Sequence, residues 1–448
     1  MMSRCENVTQ TTILRICEQK LLPKTEIGVS WAWEILIWFG FFPIGVVFRL
    51  TEDLPFFFRE GIMRIDKIDA YVVRLPLKKE MRLADIPLHY IDSVFVRLIS
   101  GDLVGWGEVM PGNEPVLTAA WSNSVFLCLK DSLIPRVGRE KDVPSSSRLE
   151  EILSRIRGNR HAKGVLDMAW WDMYARKQKK PLHQILGGTR RRLPLGLTFD
   201  RMESHEDFFA ELQRAEDEGF RRVTLKIRPG WDINMLSAVR SEFPRLMIQC
   251  DVEGALSMSS HSDTIYRFDD FFPLMLEQPL ESKEYVGHAM LQDTLRVPIC
   301  LDESVTTLHE AEIAIDLRSA SVICLNAGRI GGLTTAKAIH DLCVAGDVLC
   351  YSGMAYLSSV GFRHVAAVAS LPNCVFPVDY MRMDEVFEAD PGVALPTSMV
   401  DLNETNLDCE IKGYTDTRVV DLWDEPGIGL DPDMDIIEKY AIDHFEWS

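Results

Sequence analysis

Three acids recur at a near-constant interval: Asp251, Glu277 and Asp302 lie 26 and 25 residues apart, and Lys226 precedes the first by 25. Each closes, or directly follows, a short apolar run that reads as a β-strand. Neighbouring strands in a sheet lie about 4.8 Å apart, so three acids ending consecutive strands come within reach of one ion. Without a cation they would repel, and at least one would hold its proton above the usual carboxylate range. Three oxygen ligands with positions left for water and substrate suit Mg²⁺, with Mn²⁺ as the alternative ion; no histidine or cysteine stands at the equivalent positions, which argues against zinc. A lysine beside such an ion can take the α-proton of a bound carboxylate substrate, and the ion would stabilise the resulting enediolate. The plainer reading makes each acid the cap of a loop and the lysine their salt-bridge partner. Three acids in a row at one period favour the metal.

The interval itself points to the elements that must carry these residues. From Pro194 onward the apolar runs are PLGLTFD, RRVTLKI, LMIQCD, PLMLEQP, PICLDES, SVICLNAG, DVLCYSG and CVFPVD. Their polar ends fall at Lys226, Asp251, Glu277, Asp302, Asn326, Ser352 and Asp379, with steps of 25, 26, 25, 24, 26 and 27. Helix-like segments such as SHEDFFAELQRAEDEG and GLTTAKAIHDLCVAG lie between them; the first opens on a capping serine and both end on glycine. Repeated strand–helix units of this length build a parallel barrel, with its active site at the carboxyl ends of the strands. The rival is an open doubly wound sheet. It would bring a Gly-rich phosphate loop after its first strand, and LTFDRMES has none. Alternation along a strand puts Thr224 with Lys226, Asp251 with Glu253, Cys300 with Asp302 and Cys324 with Asn326 on shared faces. By the same rule Glu303 is expected to point away from the site.

The chain has 448 residues, of which 47% are hydrophobic and 26% charged, the make-up of a folded protein. Lys and Arg total 48 against 67 Asp and Glu, a net charge of −19 that disfavours nucleic acid as a partner. The ten cysteines are scattered without a CxxC pair, which implies a reducing, cytoplasmic compartment. Residues 1–62 differ from the rest. Ile35–Phe48 is a fourteen-residue run without charge that contains Pro43, short of the roughly 20 residues a spanning helix needs. Met63 stands directly before the first well-formed strand, so 1–62 reads as an apolar extension outside the functional protein. A marginal membrane anchor and an exposed hydrophobic tail are the alternatives, and membrane contact is expected only through this run.

Seven stretches together resemble the enolase superfamily, in its muconate lactonizing enzyme subgroup and nearest the o-succinylbenzoate synthase / N-acylamino acid racemase branch. They are VGWGE (104–108), KGVLDMAWWDMYARKQKKPLHQILGG (163–188), LKIRPGWD (225–232), LEQPL (276–280), PICLDES (298–304), GRIGGLTTAKAIHDLC (328–343) and PGIGLDPD (426–433). The resemblance implies an α/β chain: a modified (β/α)7β TIM-type barrel (191–395) under an α+β capping domain (63–190), with 396–448 returning to the cap. It implies Asp251, Glu277 and Asp302 as Mg²⁺ ligands and Lys226 as the catalytic lysine. Loops near 82–89 and 111–115 would close over the substrate.

Four positions depart from the branch. Its second strand carries Lys-x-Lys, where this chain has Thr224-Leu225-Lys226, so the companion lysine is missing. A lysine ends the sixth strand of the branch, and Asn326 stands here. Asp-x-Asn becomes Asp251-Val252-Glu253, and the Gly-Met-x-Glu stretch after the seventh strand reads SGMAYLSSVG. Racemisation by two opposed bases needs a proton carrier on each face, and Asn326 has none. The expected activity is therefore elimination or cycloisomerisation of a small carboxylate, run by Lys226 alone and most like o-succinylbenzoate synthase. Two rivals stand beside it: an N-acylamino acid racemase or epimerase with another second acid, and a non-catalytic metal- or ligand-binding descendant. Thr224, Glu253, Asn326, Ser352 and Asp379 are the expected neighbours of the substrate, joined more weakly by Tyr356. Trp170 and Trp171 are expected to pack between cap and barrel, and Gly328–Gly332 to form a turn. A homo-oligomer is compatible with the sequence.

Overall fold

The computed structural model describes residues 63–448 except 84, 85, 117, 203, 355, 405, 406, 408–410, 412 and 413. The apolar run Ile35–Phe48 lies outside the described residues. Among those described, no helix is long and apolar enough to cross a membrane.

The chain first forms three antiparallel strands, β1 (Lys67–Leu83), β2 (Ile86–Ser100) and β3 (Leu103–Val109). Eight parallel strands follow: β4 (Arg192–Phe199), β5 (Arg222–Lys226), β6 (Met247–Asp251), β7 (Met275–Glu277), β8 (Ile299–Leu301), β9 (Val322–Cys324), β10 (Leu349–Tyr351) and β11 (Val378–Tyr380). The last three are β12 (Thr397–Asp401), β13 (Asp416–Asp421) and β14 (Ala441–Trp447). Strands β4 to β10 pair in sequence order and β11 pairs with β4 in parallel. A parallel bridge from Cys350 of β10 to Cys374, in the segment before β11, marks the seam of the barrel. Outside it, β13 runs antiparallel to the start of β4 and carries β12.

Both faces of the barrel strands are covered, so their residues separate into two apolar layers. Met275, Cys300, Val322, Cys324, Tyr351 and Phe376 pack inside the barrel, while Cys250, Leu276, Leu301, Ile323 and Cys350 belong to the large outer core under the helices. Each fully buried leucine or isoleucine in that core contributes about 1.5–3 kcal/mol.

The C-terminal strand β14 pairs with β1, completing a four-stranded sheet in the order β14-β1-β2-β3. Against it lies the helix Arg160–Lys177, most of whose residues are buried. It packs close because β3 offers glycine: a Cβ at Gly105 would stand 2.2 Å from the Ala169 carbonyl. On its other side the helix meets the barrel. Trp171 Nε1 donates to Thr334 Oγ1 (2.9 Å), and Asp167 accepts from the Thr334 amide (3.0 Å) at the start of the helix Leu333–Ala345. Trp170 faces inward and donates to the Val143 carbonyl. The far end of the β1–β2 hairpin extends over the barrel mouth, where the Tyr356 hydroxyl donates to the Arg82 carbonyl (2.5 Å).

Candidate active site

A cavity of about 610 Å³ opens at the carboxyl ends of the barrel strands, walled on the cap side by residues 79–83 and 110–112. Lys226, Asp251, Glu253, Glu277, Asp302, Asn326 and Asp379 all line it. Strand parity explains most of this set. Lys226 and Asp251 pair across β5 and β6, Asp251 and Glu277 across β6 and β7, and each is the last residue of its strand.

The Lys226 ammonium is held between two acids, with Nζ 2.6 Å from Asp251 Oδ2 and 2.6 Å from Glu253 Oε1. Burial pushes its pKa down, but the two carboxylates outweigh burial and hold it well above the ordinary lysine value. Arg228 also pairs with Glu253. Glu253 therefore sits below its usual pKa, burial being overcome by two cations. Asp251 goes the other way, raised by burial and by the charge of Glu253, because Lys226 is its main counter-ion and is shared. Glu253 has φ of +48°, a left-handed conformation that costs a non-glycine residue about 1 kcal/mol and that asparagine tolerates better. The two ion pairs offset that cost.

Glu277 is buried and stands well above the ordinary glutamate pKa, first through burial and then through Asp251 and Asp379. Among the described residues its one side-chain hydrogen-bond donor is Gln249 Nε2. Asp302 abuts the Arg329 guanidinium in an ion pair. Burial lowers Arg329 itself to about 10.

Three expectations need correction. Glu303 does not point away from the site: it lines the cavity, and burial with Asp251 and Glu253 nearby raises it to about 8. The cause is Gln278, whose Oε1 accepts from the amides of both Asp302 (3.0 Å) and Ser304 (3.1 Å) and bends the chain where alternation would have turned Glu303 outward. Ser352 is the reverse case. Tyr351 takes the inward position on β10, so Ser352 faces the helix Ser359–Ala369 and donates to the Val365 carbonyl (3.1 Å), away from the cavity. Thr224, the third, was expected beside the substrate; it is inward but sits a layer below the cavity, accepting from the buried guanidinium of Arg222. Asn326 stays at the wall and caps the short helix Ala327–Ile330 through the Arg329 amide. Tyr356 is at the wall as well.

The donor set can be tested against a divalent ion. Asp251, Glu253, Glu277, Asp302, Glu303 and Asp379 face Lys226, Arg228, Arg222 and Arg329, so six acids meet four bases and two formal negative charges are left over. Glu303 Oε2 is buried with no hydrogen-bond partner among the described residues. Glu277, Asp302 and Cys324 offer ligand atoms within 4.8 Å of one another, while Asp251 is drawn toward Lys226. Burial and Glu277 keep the Cys324 thiol protonated, which makes it a poor ligand. The remaining donors are hard oxygens, and they fit Mg²⁺.

Residues 207–436 match the enolase C-terminal domain-like family, and 67–187 match the mandelate racemase / muconate lactonizing enzyme N-terminal domain. The chain belongs to the enolase superfamily. It is 32% identical to an o-succinylbenzoate synthase of Bacillus subtilis over 382 residues, 85% of this chain and 97% of that protein. It is 33% identical to an N-succinylamino acid racemase of Thermus thermophilus over 329 residues, 73% and 88% of the two chains. A crystal structure of an enolase-superfamily member from Listeria innocua superposes with a TM-score of 0.77 at 26% identity, covering 86% of this chain and 99% of that one. The protein is thus an enolase-superfamily enzyme with a TIM-type barrel and a capping domain.

Three features of the site escaped the sequence reading: Arg329 against Asp302, Arg228 on Glu253, and Arg222 beneath the acids. For Arg222 the signal was present, since 222, 224 and 226 share one face of β5.

Proposed function

We propose that this enzyme removes the α-proton of a small carboxylate substrate with Lys226 and carries the product forward by elimination or cycloisomerisation, as in o-succinylbenzoate synthase. The supporting observation is the convergence of Lys226, Asp251, Glu277 and Asp302 on one cavity at the ends of four consecutive strands. Asp251, Glu277 and Asp302 would hold Mg²⁺, or Mn²⁺. When bound, the ion neutralises the surplus acids and stabilises negative charge on the substrate carboxylate as the proton leaves.

The chain's own residues supply the rest. Lys226 Nζ sits at the cavity wall and is the proton carrier; Asp251 and Glu253 fix its position and hold it as an ammonium. It gives its proton to solvent as substrate displaces part of that pairing, so that the neutral amine then takes the α-proton. Asn326 can donate a hydrogen bond to a developing enolate or leaving group but can move no proton. The hairpin residues 79–83, tied down through Tyr356, exclude water from one side. The similarity to an N-succinylamino acid racemase supports a second reading, racemisation of an N-acylamino acid. That reading needs a proton carrier opposite Lys226, where Asn326 stands.

Proton NMR in D₂O with Mg²⁺, over a panel of acylamino acids, cyclic dicarboxylates and sugar acids, tests both. α-Proton loss or a dehydrated product supports the lysine chemistry, and exchange with retained chirality separates one base from two. Silence across the panel with Mg²⁺ bound would instead favour a non-catalytic binding protein.

A further inference from the structure

Beneath the acids, the barrel interior holds a cation where apolar packing is usual. Arg222 is fully buried and lies four residues before Lys226 on the same inward face of β5. Strand β4 makes room for it, since a Cβ at Gly196 would stand 2.3 Å from Arg222 Nε. Its guanidinium donates to Asp379 Oδ1 (2.7 Å), to the Pro377 carbonyl (3.1 Å), to Gln249 Oε1 (3.2 Å) and to Thr224 Oγ1.

The contact with Gln249 has a consequence that follows from donor and acceptor chemistry alone. An arginine has only donors and keeps its charge throughout the working pH range, so the amide must turn its oxygen toward Arg222. Its nitrogen is then left facing Glu277, where Nε2 donates to Oε2. The reversed amide would set donor against donor and oxygen against carboxylate. We propose that Arg222 is a positioning residue for Glu277: by fixing the Gln249 amide it holds one oxygen of that carboxylate in place and leaves the other for the cation. This inference rests on the reading of Asp251, Glu277 and Asp302 as Mg²⁺ ligands.

Binding of Mn²⁺ to the full-length enzyme, followed by the electron paramagnetic resonance signal of the free ion, tests it without reference to turnover. Gln249→Leu should weaken Mn²⁺ binding about 10- to 100-fold, the effect typical of groups that orient a metal ligand. Arg222→Lys, which keeps charge but loses the planar fork, should weaken it about tenfold or more. The double variant should bind no more weakly than Gln249→Leu alone, because the two act through one link. Penalties that multiply, or single variants binding within threefold of the parent, would overturn the inference. Should Arg222→Lys fail to fold, Gln249→Leu decides, since Arg222 keeps its ion pair with Asp379 in that variant. Glu277→Gln separates the two levels. If it abolishes Mn²⁺ binding while Gln249→Leu does not change it, the metal site stands and the role of Arg222 falls; if it leaves Mn²⁺ binding intact, the metal reading falls and takes the inference with it.

Discussion

Two buried glutamates in this molecule live in opposite surroundings. At the joint of cap and barrel, Glu108 accepts from the Ser93 hydroxyl (2.7 Å), the Ser358 amide (3.0 Å) and hydroxyl, and the Gly361 amide (2.7 Å). At the barrel mouth, Glu277 faces Asp251, Asp379 and Glu303 and accepts from the Gln249 side-chain amide. Burial raises the pKa of both, but donors pull Glu108 back toward its ionised form while neighbouring acids push Glu277 further away. A buried acid ringed by hydroxyl and backbone amide donors is part of the framework. One ringed by other acids is poised for a cation. Burial alone does not distinguish them; the sign of the neighbours does.

The largest effect expected at the mouth is chemical. Lys226→Ala should lower turnover by about 10²–10⁴ or more while Mn²⁺ still binds; turnover retained in that variant would remove Lys226 from the role of base. The contrast itself is tested by stability. Glu108→Gln should destabilise the fold by about 1–3 kcal/mol by setting an amide NH₂ against converging donors. In the metal-free protein Glu277→Gln should leave stability unchanged or raise it. Chemical denaturation of both variants checks this, and equal losses would erase the distinction.

A smaller effect should appear in the pH dependence. Glu303, with an ordinary value of 4.5 held at about 8, keeps a proton that the unfolded chain has lost. Its stabilising contribution is complete below about pH 4.5 and is lost as pH rises through about 8. Saturating Mg²⁺ should flatten that fall. Asp167, held at about 7 by burial at the cap–barrel joint, has the same sign but lies at Thr334, away from the acids, so its share should persist. Unfolding midpoints with and without Mg²⁺ across pH 5–8 would show the difference, and an unchanged slope would break it. The smallest expected effect is a gain: Asn326→Lys should introduce slow loss of chirality in any substrate that already exchanges its α-proton. Its absence by NMR and polarimetry would point to Thr224, Glu253 or the missing acid after β10.

Much of this was written in the chain. The 24–27-residue interval follows from the length of one strand–helix unit, and two-residue alternation fixes which side chain of a strand faces the interior, so Lys226, Asp251 and Glu277 could be put at one mouth from sequence. Both rules hold only within strands. Asp302 and Asn326 lie just past β8 and β9, and there the backbone follows its hydrogen bonds: Gln278 bends the chain at Asp302–Ser304 and brings Glu303 into the site, while Tyr351 claims the inward position on β10 and turns Ser352 out. Partners distant in sequence were likewise decided by packing. Arg222 reaches Asp379 across 157 residues and Glu108 reaches Ser358 across 250, and only the closed barrel under its cap brings such groups together. Local periodicity determined where the chemistry stands; tertiary contact decided the charge and orientation with which it stands there.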